Sequence, residues 1–147
     1  MENMKNDKFN CEVAVIGGGP AGMMAAIAAA QRGAKTILLE KNAAPGKKLL
    51  LTGGGRGNFC NAESDLRKLA ANYGQNGPFL FHSFSQFGPK EAIEFFNGLG
   101  VKTKIENNNR VFPKSDRAAD ILNALIAGLN GLNVEIVCAA KITGIEK

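Results

Sequence analysis

Six consecutive residues, Gly17-Gly18-Gly19-Pro20-Ala21-Gly22, constrain the fold of this 147-residue chain more tightly than any other segment. Directly before them Val13, Ala14, Val15 and Ile16 form an unbroken apolar run, the pattern of a strand buried at the centre of a parallel sheet. Directly after them, Met23 to Arg32 is dominated by Ala and Met with no β-branched cluster, a helical composition that Gly33 closes at the position after the C-cap. Thr36 to Leu39 is a second apolar strand, and it ends on Glu40. The segment 12–40 is therefore a β-turn-α-turn-β unit. Two strands joined through a helix must run parallel, which places the chain among α/β folds.

Gly17, Gly19 and Gly22 have the spacing G-x-G-x-x-G. In a chain with 18 glycines that bare pattern arises by chance about 0.3 times, and roughly 0.02 times once an acid is also required at the position of Glu40. In its strand-before, helix-behind setting the pattern implies a dinucleotide site. Gly17 permits the tight turn, Gly19 lets backbone approach a pyrophosphate, and Gly22 allows the helix to pack on the strand. The helix start, with Pro20 and Ala21, brings free N–H groups and partial positive charge to the phosphates. Glu40 would accept hydrogen bonds from ribose hydroxyls and disfavour a 2′-phosphate.

A second glycine loop follows: Pro45-Gly46-Lys47-Lys48, three leucines, then Thr52-Gly53-Gly54-Gly55-Arg56-Gly57-Asn58. No G-K-[ST] closes it, so it is not a P-loop. So many glycines cost backbone entropy, and a backbone lying against a flat, polar or anionic ligand accounts for them. A solvated basic loop would account equally well for Lys47 and Lys48.

The stretch from Val13 to Asn61, with Gly46-Lys47-Lys48 and Thr52-Gly53-Gly54-Gly55-Arg56-x-Asn58, resembles the start of the NAD(P)/FAD-dependent oxidoreductase family that includes aminoacetone-oxidase-like and BaiN-like flavoproteins. Arg110-Val111-Phe112-Pro113-Lys114-Ser115 carries the likeness further along the chain. The resemblance implies a Rossmann-like, glutathione-reductase-like FAD/NAD(P)-binding domain with a parallel sheet. It implies that Gly17, Gly19, Pro20, Ala21 and Gly22 line the FAD pyrophosphate and that Glu40 holds the ribose. Lys41, Lys48, Thr52, Gly53, Gly54, Arg56 and Asn58 would run along the pyrophosphate towards the flavin, and Ile142 would present backbone to the adenine. The family usually has Cys where this chain has Gly57. That thiol is either a redox partner lost here or a packing group of little consequence, and Cys60 is not assumed to replace it.

Beyond the loops, Asp65 to Ala71 and Pro89 to Asn97 read as helices, the second opened by proline at its first position. Six of the nine phenylalanines lie between Phe79 and Phe96, where core packing is favoured over an aromatic wall facing a ligand. His82, the single histidine, lacks a recognisable carboxylate partner and reads as structural. Val101–Glu106 and Arg110–Phe112 flank an Asn turn and predict a hairpin. Ser115 is the expected N-cap of an amphipathic helix through Leu129, a crossover back to the parallel sheet at Val134–Cys138. The pairs Glu91/Glu94 and Asp116/Asp120 read as solvated surface. No residue presents itself as a general base, and no metal-ligand set emerges.

The organisation expected is a βαβ unit (12–40), a flavin-loop and helical insertion (41–100), then hairpin, crossover helix and sheet strand (101–147). Formal charge is +5, of which residues 1–60 carry +4, so the basic excess sits with the glycine loops and points to an anionic cofactor before nucleic acid. Three separated cysteines without a C-x-x-C pair fit a reduced, cytoplasmic protein. The N-terminus, with mixed charge, has no secretory pattern, and the longest apolar stretch, Ala21–Ala30, is too short to cross a bilayer. These observations predict the N-terminal part of an FAD-dependent oxidoreductase acting on a small organic substrate, with FAD as cofactor and a reduced nicotinamide as one candidate donor; this part alone is expected to be inactive and to bind FAD weakly or be poorly stable. An NAD-dependent dehydrogenase domain and a non-catalytic nucleotide- or polyanion-binding module stay open as alternatives, as does the oligomeric state.

Overall fold

A computed structural model describes residues 9–146, so the charged start of the chain lies outside the described residues. The chain divides into two compact units, Met1–Pro45 with Gly128–Lys147, and Gly46–Ala127.

The first unit holds a three-stranded parallel sheet in the order β1 (Val13–Ile16), β2 (Thr36–Leu39), β6 (Glu135–Val137). Val13 lies opposite Thr36 and Ile37 opposite Glu135, so β2 is paired on both sides. Every residue of β2 is buried, as its apolar Thr-Ile-Leu-Leu sequence demands. Helix α1 (Pro20–Gln31) packs on β1 and β2 and buries Met23, Ala26 and Ile27. It ends at Arg32 and Gly33, whose φ of +86° is the left-handed cap that glycine supplies. Among the described residues β1 is paired along one side, by β2. Val13 and Val15, on one face, are half-buried while Ala14 and Ile16, on the other, are exposed, so the run expected to be buried throughout is covered on one face among the described residues.

The second unit is built on a small antiparallel sheet in the order β3 (Cys60–Asn61), β5 (Arg110–Pro113), β4 (Thr103–Glu106). The hairpin β4–β5 turns through Asn107–Asn109, where Asn108 and Asn109 adopt positive φ, a conformation that Asn tolerates better than most residues. Around the sheet lie α2 (Leu66–Ala71), α3 (Gly77–Gln86), α4 (Pro89–Gly98) and the first part of α5 (Ala118–Gly131). Val111, Phe112, Ile121 and Leu125 are fully buried. Helix α5 starts at Ala118, three residues after Ser115, so Ser115 is not its N-cap. Of the phenylalanines expected in the core, Phe96 is buried, but Phe79 is 83% exposed and Phe81 and Phe87 are also exposed. They lie on or just after α3, a helix whose single buried residue is Gly77. Among the described residues no helix is long and apolar enough to cross a membrane.

Candidate functional site

The first glycine loop runs from the end of β1 into α1. Gly17 has φ +105°, a conformation strained for any residue with a Cβ, although nothing within 4 Å would touch that Cβ. Gly22 is the reverse case: its backbone is helical, but an added Cβ would collide with the Gly17 carbonyl oxygen. The helix thus rests against the turn that precedes it. Gly19, the N-cap, is extended, and the space where its Cβ would lie is open. Within the described residues the amides of Ala21 and Gly22 have no acceptor, and the first turn of α1 contains no acidic residue to oppose an anion.

Glu40 closes this arrangement from the end of β2. It is buried, and its carboxylate accepts hydrogen bonds from the Gly18 amide (2.7 Å), the Asn42 amide (2.8 Å) and the Asn42 side chain. The Asn42 amide, followed by the Gly18 amide, outweighs burial and holds the Glu40 pKa below its ordinary value. Three acceptor positions are occupied, which leaves one lone-pair direction on Oε2 for a ligand hydroxyl. Gly18 belongs to the site although the G-x-G-x-x-G spacing gives it no task. A Cβ there would lie 2.8 Å from Pro45 Cβ and 3.0 Å from Glu40 Oε2. The buried acid and an unassigned glycine at the middle of the loop were the signals for it.

The second loop is a broken 3-10 turn, Leu49–Gly55, in which Thr52 is extended and Gly53, Gly54 and Gly55 all have positive φ. Gly53 and Gly57 are packed: added Cβ atoms would meet Phe112 Cε1 and Ala118 Cα, each at 2.8 Å. Gly54 faces open space. With φ +80° and backbone at its Cβ position, Gly57 leaves no room for the cysteine usual in the family. Cys60 offers no ready substitute, since burial pushes its thiol up to about 11. The Thr52 hydroxyl donates to the Leu49 carbonyl, and the Asn58 amide group donates to the carbonyls of Cys60 and Val111, tying the loop to the sheet.

Arg56 stacks 4.2 Å above the Phe112 ring centroid and is held by two carboxylates. Its Nε and Nη2 donate to Asp116 Oδ1 at 3.0 and 2.6 Å, and its Nη1 and Nη2 donate to the Glu106 carboxylate at 3.1 and 2.5 Å. Lys104 reaches the same two acids, at 3.1 Å from Glu106 and 2.6 Å from Asp116. Asp116 is therefore a member of an ion cluster and not the solvated surface acid expected from its spacing to Asp120. Hydrogen bonds from Lys104 and Arg56 lower the Asp116 pKa, and those from Arg56 and Lys104 lower that of Glu106. Glu91 likewise has a local task, accepting the Gly88 amide at the start of α4.

Lys41, Lys48 and Ile142 are exposed, and His82 is exposed on α3 with no carboxylate on its ring. Among the described residues no group of acids, cysteines and histidine could hold a metal ion. Open amides at a helix start, uncrowded glycines and a buried acid with a free lone pair form a set of residues that fits the adenosine diphosphate half of a dinucleotide cofactor.

Comparison with known proteins agrees with this geometry. The chain is 35% identical over 136 residues to a 3-dehydro-bile acid delta(4,6)-reductase of Clostridium scindens, covering 91% of this chain and 32% of that protein. It is 28% identical over 133 residues to a ribosomal RNA dihydrouridine synthase of Escherichia coli, covering 90% of this chain and again 32% of the relative. The chain thus spans about a third of the length of these curated relatives. Among solved structures, a 3-ketosteroid-delta4-(5alpha)-dehydrogenase from Rhodococcus jostii shares the fold with a TM-score of 0.68 at 16% identity, over 93% of this chain and 39% of that one. The family described as "HI0933-like protein Rossmann domain" matches residues 11–147, and the chain belongs to that family.

Proposed function

We propose that this chain supplies the FAD-binding part of a flavoprotein oxidoreductase that reduces or oxidises a small organic molecule. The observation that carries the reading is the first glycine loop, where two open amides at the start of α1 lie beside a buried acid, Glu40, that retains an acceptor position. Gly17, Gly19, Pro20, Ala21 and Gly22 take the pyrophosphate, and Glu40 takes a ribose hydroxyl. Lys41 after β2, Lys48, and Thr52, Gly53, Gly54 and Asn58 of the loop that contains Arg56 extend the cofactor-binding set, and Ile142 offers backbone to the adenine. Bound FAD supplies hydride-transfer chemistry, and the protein orients it.

The two curated relatives support a type of reaction, although their named substrates differ in class. One is named as a 3-dehydro-bile acid delta(4,6)-reductase, the other as a ribosomal RNA dihydrouridine synthase. Reduction of a conjugated carbon–carbon double bond is the chemistry common to those names, and we assign it to this protein with a small-molecule acceptor. A reduced nicotinamide is the proposed donor and the cytoplasm the proposed location, which the free cysteines Cys11, Cys60 and Cys138 support.

The purified protein is expected to take up added FAD and show the visible bands of oxidised flavin, which fade on anaerobic addition of NADH or NADPH. A colourless protein that takes up no FAD would overturn the reading. Uptake of FAD with no fading would remove the nicotinamide donor alone.

A further inference from the structure

Arg56 is the one basic side chain within the Thr52–Asn58 loop, yet its charge is already answered. Four of its five N–H directions are spent on Glu106 and Asp116, its Cζ lies over the Phe112 ring, and Lys104 completes a cluster of two cations and two carboxylates with no net charge. The acids reach it from separate places, Glu106 from the end of β4 and Asp116 from the turn ahead of α5. Asp116 occupies that turn with φ +56°, a conformation uncommon for a non-glycine residue. Directly behind Arg56, Gly57 fits against Ala118 only because it has no Cβ. Loop, hairpin and helix start therefore meet at one guanidinium. The glycine backbone on the other side of Arg56 has little of its own to hold its shape.

We propose that Glu106 and Asp116 are positioning residues that hold the Thr52–Asn58 loop in shape through Arg56, and that Arg56 tethers the loop instead of contacting an anionic cofactor itself. The inference rests on the FAD-binding reading above for its functional consequence, but the tether is a property of this loop and is tested separately.

The two roles of Arg56 differ in sign. Were Arg56 a direct anion contact, neutralising its carboxylate partners would free the guanidinium and tighten FAD binding. As a tether, the same change loosens the loop and weakens binding. The test uses the full chain with Glu106→Gln, Asp116→Asn, the two together, and Arg56→Met. Asn suits Asp116 because it tolerates the left-handed backbone. Hydrogen–deuterium exchange over residues 52–58 and FAD titration by flavin fluorescence are measured on each, with exchange in β5, the middle strand of the sheet in the same unit, as the control for intact folding.

The double variant is expected to raise exchange over 52–58 by about tenfold and to weaken FAD binding by a similar factor, with β5 unchanged and Arg56→Met reproducing both effects. FAD binding that is tighter or unchanged in the double variant overturns the proposal, as does unchanged exchange over 52–58. If the unaltered chain takes up no FAD, the function proposed above falls, while the exchange measurement still decides whether the two acids hold the loop.

Discussion

At the scale of single residues, the three glycines of the first loop separate turn, approach and packing. Gly22→Ala drives a Cβ into the Gly17 carbonyl and is expected to cost about 1–3 kcal/mol in a denaturant titration. Gly19→Ala meets nothing within 4 Å and keeps an ordinary extended φ of −79°, so its stability should match the parent while FAD uptake falls, the open face now being filled. Glu40 gives a prediction with pH. Its folded-state pKa is lowered, so its contribution is fully present above the ordinary carboxyl value of 4.5 and is lost as pH falls through the folded value. Glu40→Gln should therefore lose about 1–3 kcal/mol near neutrality, and the difference from the parent should shrink as melting is followed into acid. These tasks were legible because glycine spacing and a strand-terminal acid are local signals. The partners of Arg56 were not, since Glu106 and Asp116 lie 50 and 60 residues away and no periodicity links them to the loop.

Among the elements, those with a strong local pattern were found where expected. The second strand spans Thr36–Leu39 as read, and the Asn turn does join two antiparallel strands. Helix α3 was not read from the sequence: its aromatic run follows Gly77-Pro78, and its large residues are mostly exposed instead of packed in the core expected of them. The exposed face of β1 was equally hidden: an apolar run reports that a strand can be buried, not which of its faces is covered. Capping offers a test at this scale. Asp65 accepts the amides of Arg67 and Lys68 at the start of α2, a helix of only six residues. Asp65→Ala is expected to cost about 1 kcal/mol, read as faster amide exchange confined to α2.

On the scale of the whole molecule, the charge of +5 acquires a more definite address. Arg56 and Lys104 are matched by Glu106 and Asp116, so the basic excess near the loops falls to exposed side chains such as Lys41, Lys47 and Lys48. Such charges steer an anion more than they hold it, and salt screens them. A Lys47→Gln/Lys48→Gln pair should slow FAD association at low salt by about 2–5-fold and flatten its dependence on ionic strength, while dissociation stays nearly constant in stopped-flow measurements. Glu40 connects the site to the molecule in another way. Its backbone extends the ladder of the central strand, with its amide bonded to the Val137 carbonyl and its carbonyl accepting the Ala140 amide. A nucleotide that grips this carboxylate thereby grips the strand paired on both sides, whose opening requires the sheet itself to come apart. Occupancy there registers as a raised melting temperature, so a library of nucleotide analogues can be ranked by heating alone, before any substrate is known.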